Sequence, residues 1–439
     1  MVSDKMEYKI HPSVFYRKIN DKVVLYCTSQ NMIYTFSNSS IDIFDFFSTA
    51  NSFDKFLIYL KDKYKIDESD IEFNRNIGDF FEELIQNGII IQNSKDNNYS
   101  GILENEISDE FANSNMLYSA TIELTYRCNE KCRHCYVYDE GGEEMSTNQI
   151  MKILDDLCDM EVATLLFTGG EVFARKDIFE ILEYAYKKHF AMDIFTNGTL
   201  LNESKIIKLK NLWPKSIQFS VYSHIPQKHD AVTQINGSYE KTITAIKTCI
   251  AVGIPVKIKM PVFTETADDI SGVIELAKSL GASVSVSNDI TPKKNGDTSP
   301  LKMRILNNKK LGDVSKNIEE KLGDLYKNTD SKTLDSRICS AGARMLSINP
   351  YGKVYPCANF PLCIGDALTQ NIKDIWENSK ELNKWRKLNK TVNRKDCITC
   401  EHLKYCRYCP GEAIMYNGSP VLKYQDACYV CECKFKADK

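Results

Sequence analysis

Sixteen cysteines occur among the 439 residues of this chain, and their distribution is uneven. Only Cys27 lies before residue 128, whereas ten cysteines fall between Cys339 and Cys433. Cysteines used only for core packing would be more scattered, so the clustering points to chemistry. We find no secretory signal and no apolar run long enough to cross a bilayer, and therefore expect a cytoplasmic protein with reduced thiols. Metal binding or catalysis is the expected use of such thiols.

The first chemical motif is a group of three cysteines that follows a strand-like run, Ala120–Thr125. Cys128, Cys132 and Cys135 have the spacing C-x3-C-x2-C. Thiolates are the ligands of iron–sulfur clusters, and a tight loop can place three of them on one face of a 4Fe–4S cube. The fourth iron would then be open for a substrate or cofactor. A zinc site with His134 as fourth ligand is the alternative.

The second motif is a series of cysteines in the last quarter of the chain. It has seven members, of which four have the spacing C-x2-C-x5-C-x2-C and are followed by one more distant cysteine. They are Cys339, Cys357, Cys397, Cys400, Cys406, Cys409 and Cys428. The two x2 pairs could instead hold zinc. Cys431 and Cys433 extend the series, and either could replace Cys428. From about Arg337 onward the chain shows few periodic runs, so we expect a loop-rich segment that bound metal must stabilise.

Strands and helices alternate between residues 119 and 291, where the first motif lies. The predicted strands are Ala120–Thr125, Thr164–Thr168, Met192–Thr196, Ser216–Val221, Pro255–Pro261 and Ser283–Val286. The predicted helices are Thr147–Met160, Asp177–His189, Glu203–Leu212, Tyr239–Val252 and Asp268–Leu280. This alternation predicts an α/β fold with a parallel sheet, a partial (β/α)6 TIM barrel. Sites in such sheets lie at the carboxyl ends of the strands, where the cysteine loop falls.

Residues 1–95 predict a small winged-helix-like module. Its β-rich runs and its last strand are Val14–Ile19, Lys22–Phe36 and Ile89–Gln92, and its helices are Ser40–Phe47, Phe53–Tyr64 and Ile77–Gln86. The last helix as predicted lacks Lys and Arg and the chain has net charge −3, so we expect no nucleic-acid partner. The expected organisation is this module, a linker at 96–118, the barrel at 119–325 and a cysteine-rich iron–sulfur domain at 326–439.

The cysteine loop after the first strand resembles the signature of the radical S-adenosylmethionine (SAM) superfamily. That family has an aromatic residue before the third cysteine, where this chain has His134. The GGE motif of the family is matched by Gly169, Gly170 and Glu171, and its usual following proline is replaced by Val172. The resemblance implies that the glycines let backbone approach the ligand and that Glu171 binds the amino group of SAM.

Two further strand ends carry the same resemblance, which covers about residues 119–291. Thr196 and Asn197 end the third strand, and Ser220 and Ser223 lie at the end of the fourth. In the family, polar residues at these ends contact the ribose and carboxylate of SAM. The resemblance therefore implies that SAM is cleaved to a 5′-deoxyadenosyl radical, which abstracts hydrogen from a substrate.

The order of the seven late cysteines resembles the SPASM domain, which carries two auxiliary 4Fe–4S clusters. The last spacing is x2 here and commonly x3 in the family. The resemblance implies a first auxiliary cluster on Cys339, Cys357 and Cys409 and a second on Cys397, Cys400, Cys406 and Cys428. The first then lacks a fourth ligand, which is either Cys363 or a substrate thiolate. With the barrel cluster, three clusters are expected.

Residues 8–95 resemble the PqqD-like recognition element that binds the leader of ribosomally made peptides. The resemblance rests on the runs Tyr16–Ile19, Met32–Phe36 and Asp79–Leu84. It implies a peptide maturase that binds the leader of its substrate. We expect the product to be a thioether between a cysteine sulfur and a carbon of another residue, the electron donor to be a flavodoxin or ferredoxin, and no membrane partner. The alternatives are a carbon–carbon crosslink, maturation of a protein or quinone cofactor, and a zinc-dependent winged-helix regulator without enzymatic activity.

Overall fold

The computed structural model describes residues 6–19, 21–30, 32–93, 115–138, 141–287, 290–305, 310, 314, 322, 335–406 and 408–437. These residues form two compact units. The first contains the described residues up to 93 together with His189–Ala191, and the second contains the others. No helix in the described ranges is long and apolar enough to span a bilayer.

The first unit is built from two antiparallel sheets and three helices. Its strands are β1 (Glu7–Ile10), β2 (Val14–Ile19), β3 (Lys22–Cys27), β4 (Met32–Ser37), β5 (Asn51–Ser52) and β6 (Ile90–Gln92). Its helices are α1 (Ile41–Phe46), α2 (Phe53–Tyr64) and α3 (Ile71–Gln86). The sheet orders are β5-β1-β6 and β2-β3-β4. Buried aromatic rings, among them Phe44, Phe47, Phe56 and Phe81, fill the core of this unit.

The third helix is longer than the sequence predicts, since it begins at Ile71 and not at Ile77. The Asp70 side chain accepts a hydrogen bond from the Phe73 backbone N–H (2.9 Å), which caps the helix at its start. Two asparagines of low helix propensity, Asn74 and Asn76, lie in the first turns and weaken the helical pattern there. The added turns include Arg75, so the third helix lacks basic residues only within its predicted range, Ile77–Gln86.

The second unit contains six parallel strands that alternate with helices. The strands are β7 (Ser119–Thr125), β8 (Thr164–Gly169), β9 (Ala191–Thr196), β10 (Ser216–Ser220), β11 (Val256–Pro261) and β12 (Ser283–Ser287). The helices are α4 (Thr147–Asp159), α5 (Ile178–Lys187), α6 (Glu203–Lys210), α7 (Pro226–Thr233), α8 (Ser238–Ala251) and α9 (Ile270–Leu280). The predicted α/β class and partial barrel are confirmed. Along β11, buried Val256, Ile258 and Met260 alternate with half-buried Lys257 and Lys259, as expected for a strand with two different faces.

The cysteine-rich segment continues the same sheet. Its strands are β13 (Met345–Ile348), β14 (Lys353–Tyr355) and β15 (Gly365–Asp366), and β13 runs parallel to β7 in the order β12-β11-β10-β9-β8-β7-β13-β14-β15. Its helices are α10 (Ile372–Asn378), α11 (Lys380–Leu388), α12 (Pro410–Asn417) and α13 (Gln425–Ala437). The prediction of a loop-rich segment is therefore wrong for these stretches. The helices are short, and α11 buries only Leu382 and Trp385, so the apolar periodicity is weak.

Candidate functional site

The loop with the three predicted cluster cysteines begins directly after β7 and is fixed to the end of α7. The Lys131 backbone N–H donates to the Thr233 carbonyl (3.0 Å), and the Arg133 N–H donates to the Val232 carbonyl (3.2 Å). The Cys135 N–H also bonds within the loop. The backbone of the loop is therefore held by the barrel itself.

The three thiols of this loop are only partly shielded from water, since Cys128 is exposed and Cys132 and Cys135 are half-buried, and as thiolates they would repel one another. Burial, followed by nearby negative charges, raises the pKa of Cys128 to about 11. Burial also raises the pKa of Cys132 and of Cys135, and the Cys135 charge adds to the rise at both other thiols. Thiolates so placed need positive charge nearby, so the donor set fits iron, which thiolates bind.

Two strand ends bring polar side chains to these sulfur atoms. The Asn197 amide nitrogen, at the end of β9, lies 3.9 Å from the Cys128 sulfur. The Tyr222 hydroxyl, just beyond β10, lies 3.7 Å from the Cys132 sulfur. Sequence reasoning selected Ser220 and Ser223 and missed Tyr222. The alternation of side chains along an extended chain places residues 220 and 222 on one side, and this signal would have identified the tyrosine.

Both glycines of the GGE motif pack against the start of the cysteine loop. Gly169 has φ +138°, and a Cβ atom there would collide with the Thr125 carbonyl. A Cβ atom at Gly170 would collide with the Arg127 carbonyl. The Gly170 N–H donates to the Thr125 carbonyl (2.7 Å). This close packing explains why both positions require glycine. The predicted approach of their backbone to a ligand stays a prediction.

Glu171 is fully buried at the end of β8, and its carboxylate joins two strand ends. It accepts hydrogen bonds from the Thr196 hydroxyl (2.8 and 2.9 Å), the Asn197 N–H (2.7 Å) and the Phe173 N–H (3.0 Å). Burial raises the pKa of Glu171, and these hydrogen bonds oppose the rise. Most of its acceptor positions are thus filled by the chain, which fixes the carboxylate beside the cysteine loop.

The structure does not bring Ser223 to the cysteine sulfurs. Its hydroxyl is buried, donates to Asp269 (2.9 Å) and accepts from the Ile225 N–H (2.9 Å), so it organises the start of α7. Ser220 is half-buried and lies opposite Lys259 of β11. A cofactor contact at Ser220 or Ser223 stays a prediction.

His134, which stands before the third cysteine where the family has an aromatic residue, packs against two aromatic rings. Its ring lies 4.9 Å from the Tyr222 ring and 4.6 Å from the Phe263 ring, between centroids. Burial lowers the pKa of His134 to about 4. A neutral imidazole therefore packs beside Cys132, in the apolar group that Tyr222 and Phe263 form.

Three of the late cysteines form one group in the carboxyl-terminal part. Burial and the nearby Cys339 and Cys409 thiols raise the pKa of Cys357 to about 12. The Asn389 side chain holds the backbone of Cys339 on both sides, at 3.0 and 2.7 Å. A Cβ atom at Gly411 would collide with the Asn359 carbonyl, so a glycine allows this close approach behind Cys409. These are the residues predicted for the first auxiliary cluster.

Cys363, the predicted alternative fourth ligand, is exposed. Its sulfur lies 3.4 Å from the Gly365 carbonyl. Its role as a ligand stays a prediction. Within the described residues, no three His, Cys, Asp or Glu side chains lie close enough together to share a single metal ion such as zinc. The cysteines that hold a 4Fe–4S cube each bind a different iron atom and therefore lie further apart.

The other four predicted ligands share one pocket of about 170 Å³. Its cysteines are Cys397, Cys400, Cys406, Cys428 and Cys431. Four of these five are the residues predicted for the second auxiliary cluster. Cys431 is buried and donates to the His402 carbonyl (2.9 Å), whereas Cys428 is exposed. The pocket also contains Arg394, which sequence reasoning missed.

Comparison with known proteins gives the same two parts. The profile described as "Radical SAM superfamily" matches residues 122–277, and the profile "SPASM: Iron-sulfur cluster-binding domain" matches residues 339–410. The antilisterial bacteriocin subtilosin biosynthesis protein AlbA of Bacillus subtilis is 30% identical over 310 residues, which cover 69% of this chain and 68% of AlbA. The AdoMet-dependent heme synthase of Methanosarcina barkeri is 26% identical over 67% of this chain and 92% of its own length.

A solved structure has the same fold. The crystal structure of Streptococcus suis SuiB bound to S-adenosylmethionine matches with a TM-score of 0.60 at 15% identity, over 96% of this chain and 99% of SuiB. SAM and iron–sulfur clusters are accordingly the cofactors of this chain. The chain belongs to the radical SAM superfamily and carries a SPASM iron–sulfur domain.

Proposed function

We propose that this enzyme matures a ribosomally made precursor peptide by joining a cysteine sulfur to a carbon atom of another residue as a thioether. AlbA takes part in subtilosin biosynthesis, and SuiB has been crystallised with its precursor peptide SuiA. The observation that carries the proposal for this chain is a groove in its first unit, beside an unpaired strand edge, that suits an extended peptide.

The groove lies between β4 and the helices of the first unit and has a volume of about 770 Å³. Its lining residues are Thr35, Phe36, Ser37, Ser39, Ser40, Ile43, Phe56, Leu60, Tyr64, Ile66, Phe73, Asn76, Ile77 and Phe80. β4 ends the order β2-β3-β4, so one of its edges has no strand partner within the described residues. A leader peptide could add a strand at this edge and insert apolar side chains among the aromatic rings.

Three 4Fe–4S clusters are proposed, one on each cysteine group. The barrel cluster would be held by Cys128, Cys132 and Cys135, the first auxiliary cluster by Cys339, Cys357 and Cys409, and the second by Cys397, Cys400, Cys406 and Cys428. With SAM and an electron from a flavodoxin- or ferredoxin-type donor, the barrel cluster supplies a 5′-deoxyadenosyl radical that can abstract hydrogen from unactivated C–H bonds.

The residues around the barrel loop would orient SAM and exclude water. The fixed Glu171 carboxylate places negative charge where the SAM ammonium is expected, with the Asn197 amide beside the Cys128 sulfur. The packed rings of His134, Tyr222 and Phe263, which meet edge-on or tilted, form an apolar wall next to Cys132. Exclusion of water protects a reactive radical from side reactions.

The first auxiliary group favours a thioether over other products. It contains three cysteines, and the exposed Cys363 lies against Gly365. A cysteine of the peptide would supply the fourth sulfur there. Its thiolate would be held there while the 5′-deoxyadenosyl radical takes a hydrogen atom from a carbon atom of another residue. The thiolate would then bond to that carbon radical, and the one electron released would pass to the auxiliary cluster.

The test is anaerobic co-expression with a candidate precursor, a short open reading frame with several cysteines found next to the gene, followed by mass spectrometry. We expect loss of two hydrogens and fragments that join a cysteine to another residue, and no change with the Cys132→Ala variant. A link between two carbon atoms would contradict the thioether. An unmodified peptide, or deuterium uptake without loss of mass, would contradict crosslinking altogether.

A further inference from the structure

Arg394 is a buried arginine whose guanidinium points at cysteine sulfurs. Its side chain is 3% exposed. The Nη2 atom donates to the Cys397 sulfur (3.3 Å) and to the Cys406 sulfur (3.6 Å). Both cysteines belong to the pocket of the proposed second auxiliary cluster, so the arginine bonds directly to two proposed ligands.

The other neighbours of Arg394 do not neutralise its positive charge, which therefore acts mainly on the sulfurs of this pocket. The guanidinium stacks on the Tyr408 ring, 3.8 Å from the centroid. Its Nε atom is buried without a hydrogen-bond partner, and no carboxylate in the described ranges forms an ion pair with it. A buried charge without a partner is costly, so negative charge on the sulfurs is what stabilises it.

The position of Arg394 is set by the backbone next to the cluster cysteines. The Arg394 N–H donates to the Thr391 carbonyl (3.0 Å), and the Cys397 N–H donates to the Arg394 carbonyl (2.8 Å). These two bonds place Arg394 and Cys397 on one short turn, so the backbone holds the arginine close to that sulfur.

The first auxiliary group has different neighbours. The cations near that group have carboxylate partners. Lys294, whose charge reaches Cys357, forms an ion pair with Glu123, and Arg304 forms one with Glu412 (3.2 Å), three residues after Cys409. The direct N–H···S bonds of a buried cation are thus a feature of the second pocket.

We infer that Arg394 is a positioning residue that raises the reduction potential of the second auxiliary cluster. Reduction adds one negative charge to a cluster, and hydrogen bonds to its sulfurs together with nearby positive charge stabilise that form. The inference rests on the proposed function, since it needs a cluster on Cys397, Cys400, Cys406 and Cys428.

The test is a redox titration of the full-length, anaerobically reconstituted protein with dithionite, followed by electron paramagnetic resonance. In Arg394→Gln we expect one cluster to become at least ten times harder to reduce, or ~59 mV lower for one electron, with the other clusters unchanged. Arg394→Lys keeps the charge but not the forked donor, so its shift should be smaller and of the same sign.

Arg386 provides the matched control. It too stacks on an aromatic ring, 4.3 Å from the Trp376 centroid, but its donors bond to the carbonyls of Gly342 (2.8 Å) and Trp376 (2.6 Å). Arg386→Gln should lower thermal stability by an amount similar to Arg394→Gln and leave every potential unchanged. A general loss of packing would instead shift both variants alike and overturn the inference.

The outcomes separate the inference from the proposed function. Arg394→Gln or Arg394→Lys with wild-type iron content and wild-type potentials would overturn the inference alone. If Arg394→Gln loses iron, the inference is judged on Arg394→Lys: a lowered reduction potential of one cluster supports it, and a wild-type potential overturns it. A wild-type protein without a cluster in this pocket would overturn both, whereas a shifted potential without any peptide product would overturn only the maturase proposal.

Discussion

The three-cysteine loop and the second auxiliary pocket are both cysteine sites, but different interactions hold them in shape. The loop is fixed by backbone bonds to α7 and rests on strand ends tied together by Glu171. The small core of the second pocket includes two of its own cysteines, Cys406 and Cys431. We therefore expect the loop to keep its shape without iron and the pocket to depend on iron for its shape.

The largest effect should come from replacing Cys128 with Ala. This removes one of three ligands from a loop that the barrel holds independently, so SAM cleavage should fall to background while the unfolding temperature changes little. The measurement is 5′-deoxyadenosine formation with dithionite, alongside thermal unfolding. Cys158→Ala, in α4, is the control and should keep normal cleavage. Cleavage well above background in Cys128→Ala would contradict the cluster assignment.

Replacing Cys400 with Ala should have the next largest effect, and it changes the second auxiliary pocket instead of the three-cysteine loop. Iron should fall by about four of twelve atoms per chain, peptide product should disappear and SAM cleavage without product should remain. The segment around the pocket should also become sensitive to protease, because its core has lost the cluster.

Cys431→Ala is the matched control for that experiment. It removes a thiol from the same pocket, and with Cys428 as the ligand it should keep both iron and product. If Cys431→Ala loses iron and Cys428→Ala does not, Cys431 is the ligand. If Cys400→Ala leaves the segment resistant to protease, the proposed contrast between the two sites is wrong.

A change in the groove of the first unit should leave both cysteine sites intact. Ile77→Asp places a charge among apolar groove residues, so precursor-peptide affinity should fall about 30-fold, or about 2 kcal/mol, without loss of iron or SAM cleavage. Fluorescence anisotropy with labelled leader peptide measures this. Ile58→Asp, at a helix position 68% exposed outside the groove, should bind normally. Equal binding by both variants, or by a protein lacking residues 1–95, would refute the leader-binding role.

The smallest effect concerns His229, which packs behind Tyr222 in α7. Burial lowers the pKa of His229 from 6.5 to about 4. Between these values the unfolded chain takes up a proton that the folded protein does not, so the free energy of unfolding falls as pH falls. From pH 7 to pH 5 this should amount to about 2 kcal/mol.

Urea unfolding at both pH values checks this prediction. His229→Gln should show a pH dependence about 2 kcal/mol smaller than that of the wild type. The exposed His224 is the control, and His224→Gln should keep the wild-type dependence. An equal dependence in all three proteins would show that His229 is not held neutral.

Local patterns predicted much of the fold. The predicted strands at Thr164, Ser216 and Ser283 begin where the structure has them. The first is marked by a continuous apolar run and the other two by alternating apolar and polar residues. Helix α7 escaped notice because its sequence, PQKHDAVT, is mostly polar. Its place is set by packing against the cysteine loop, which no local pattern reports.

The site was harder to predict because its contacts join distant residues. Ser223 was assigned to SAM by its position, yet its partner is Asp269, 46 residues away. Arg394 stands in a run rich in Lys and Arg that is typical of a solvated surface. Only the fold shows that this one charge is buried against Cys406.

The parallel pairing of β13 with β7 has a consequence for dissecting this enzyme. β7 leads directly into Cys128, and β13 covers its outer edge through the register of Ile348 with Ile122. A shortened chain that ends before Met345 would expose this edge of β7. Exposed strand edges pair with other chains, so such a protein would tend to aggregate. The barrel and the iron–sulfur region thus cannot be separated cleanly at residue 325, and chimaeras between relatives should exchange both parts together.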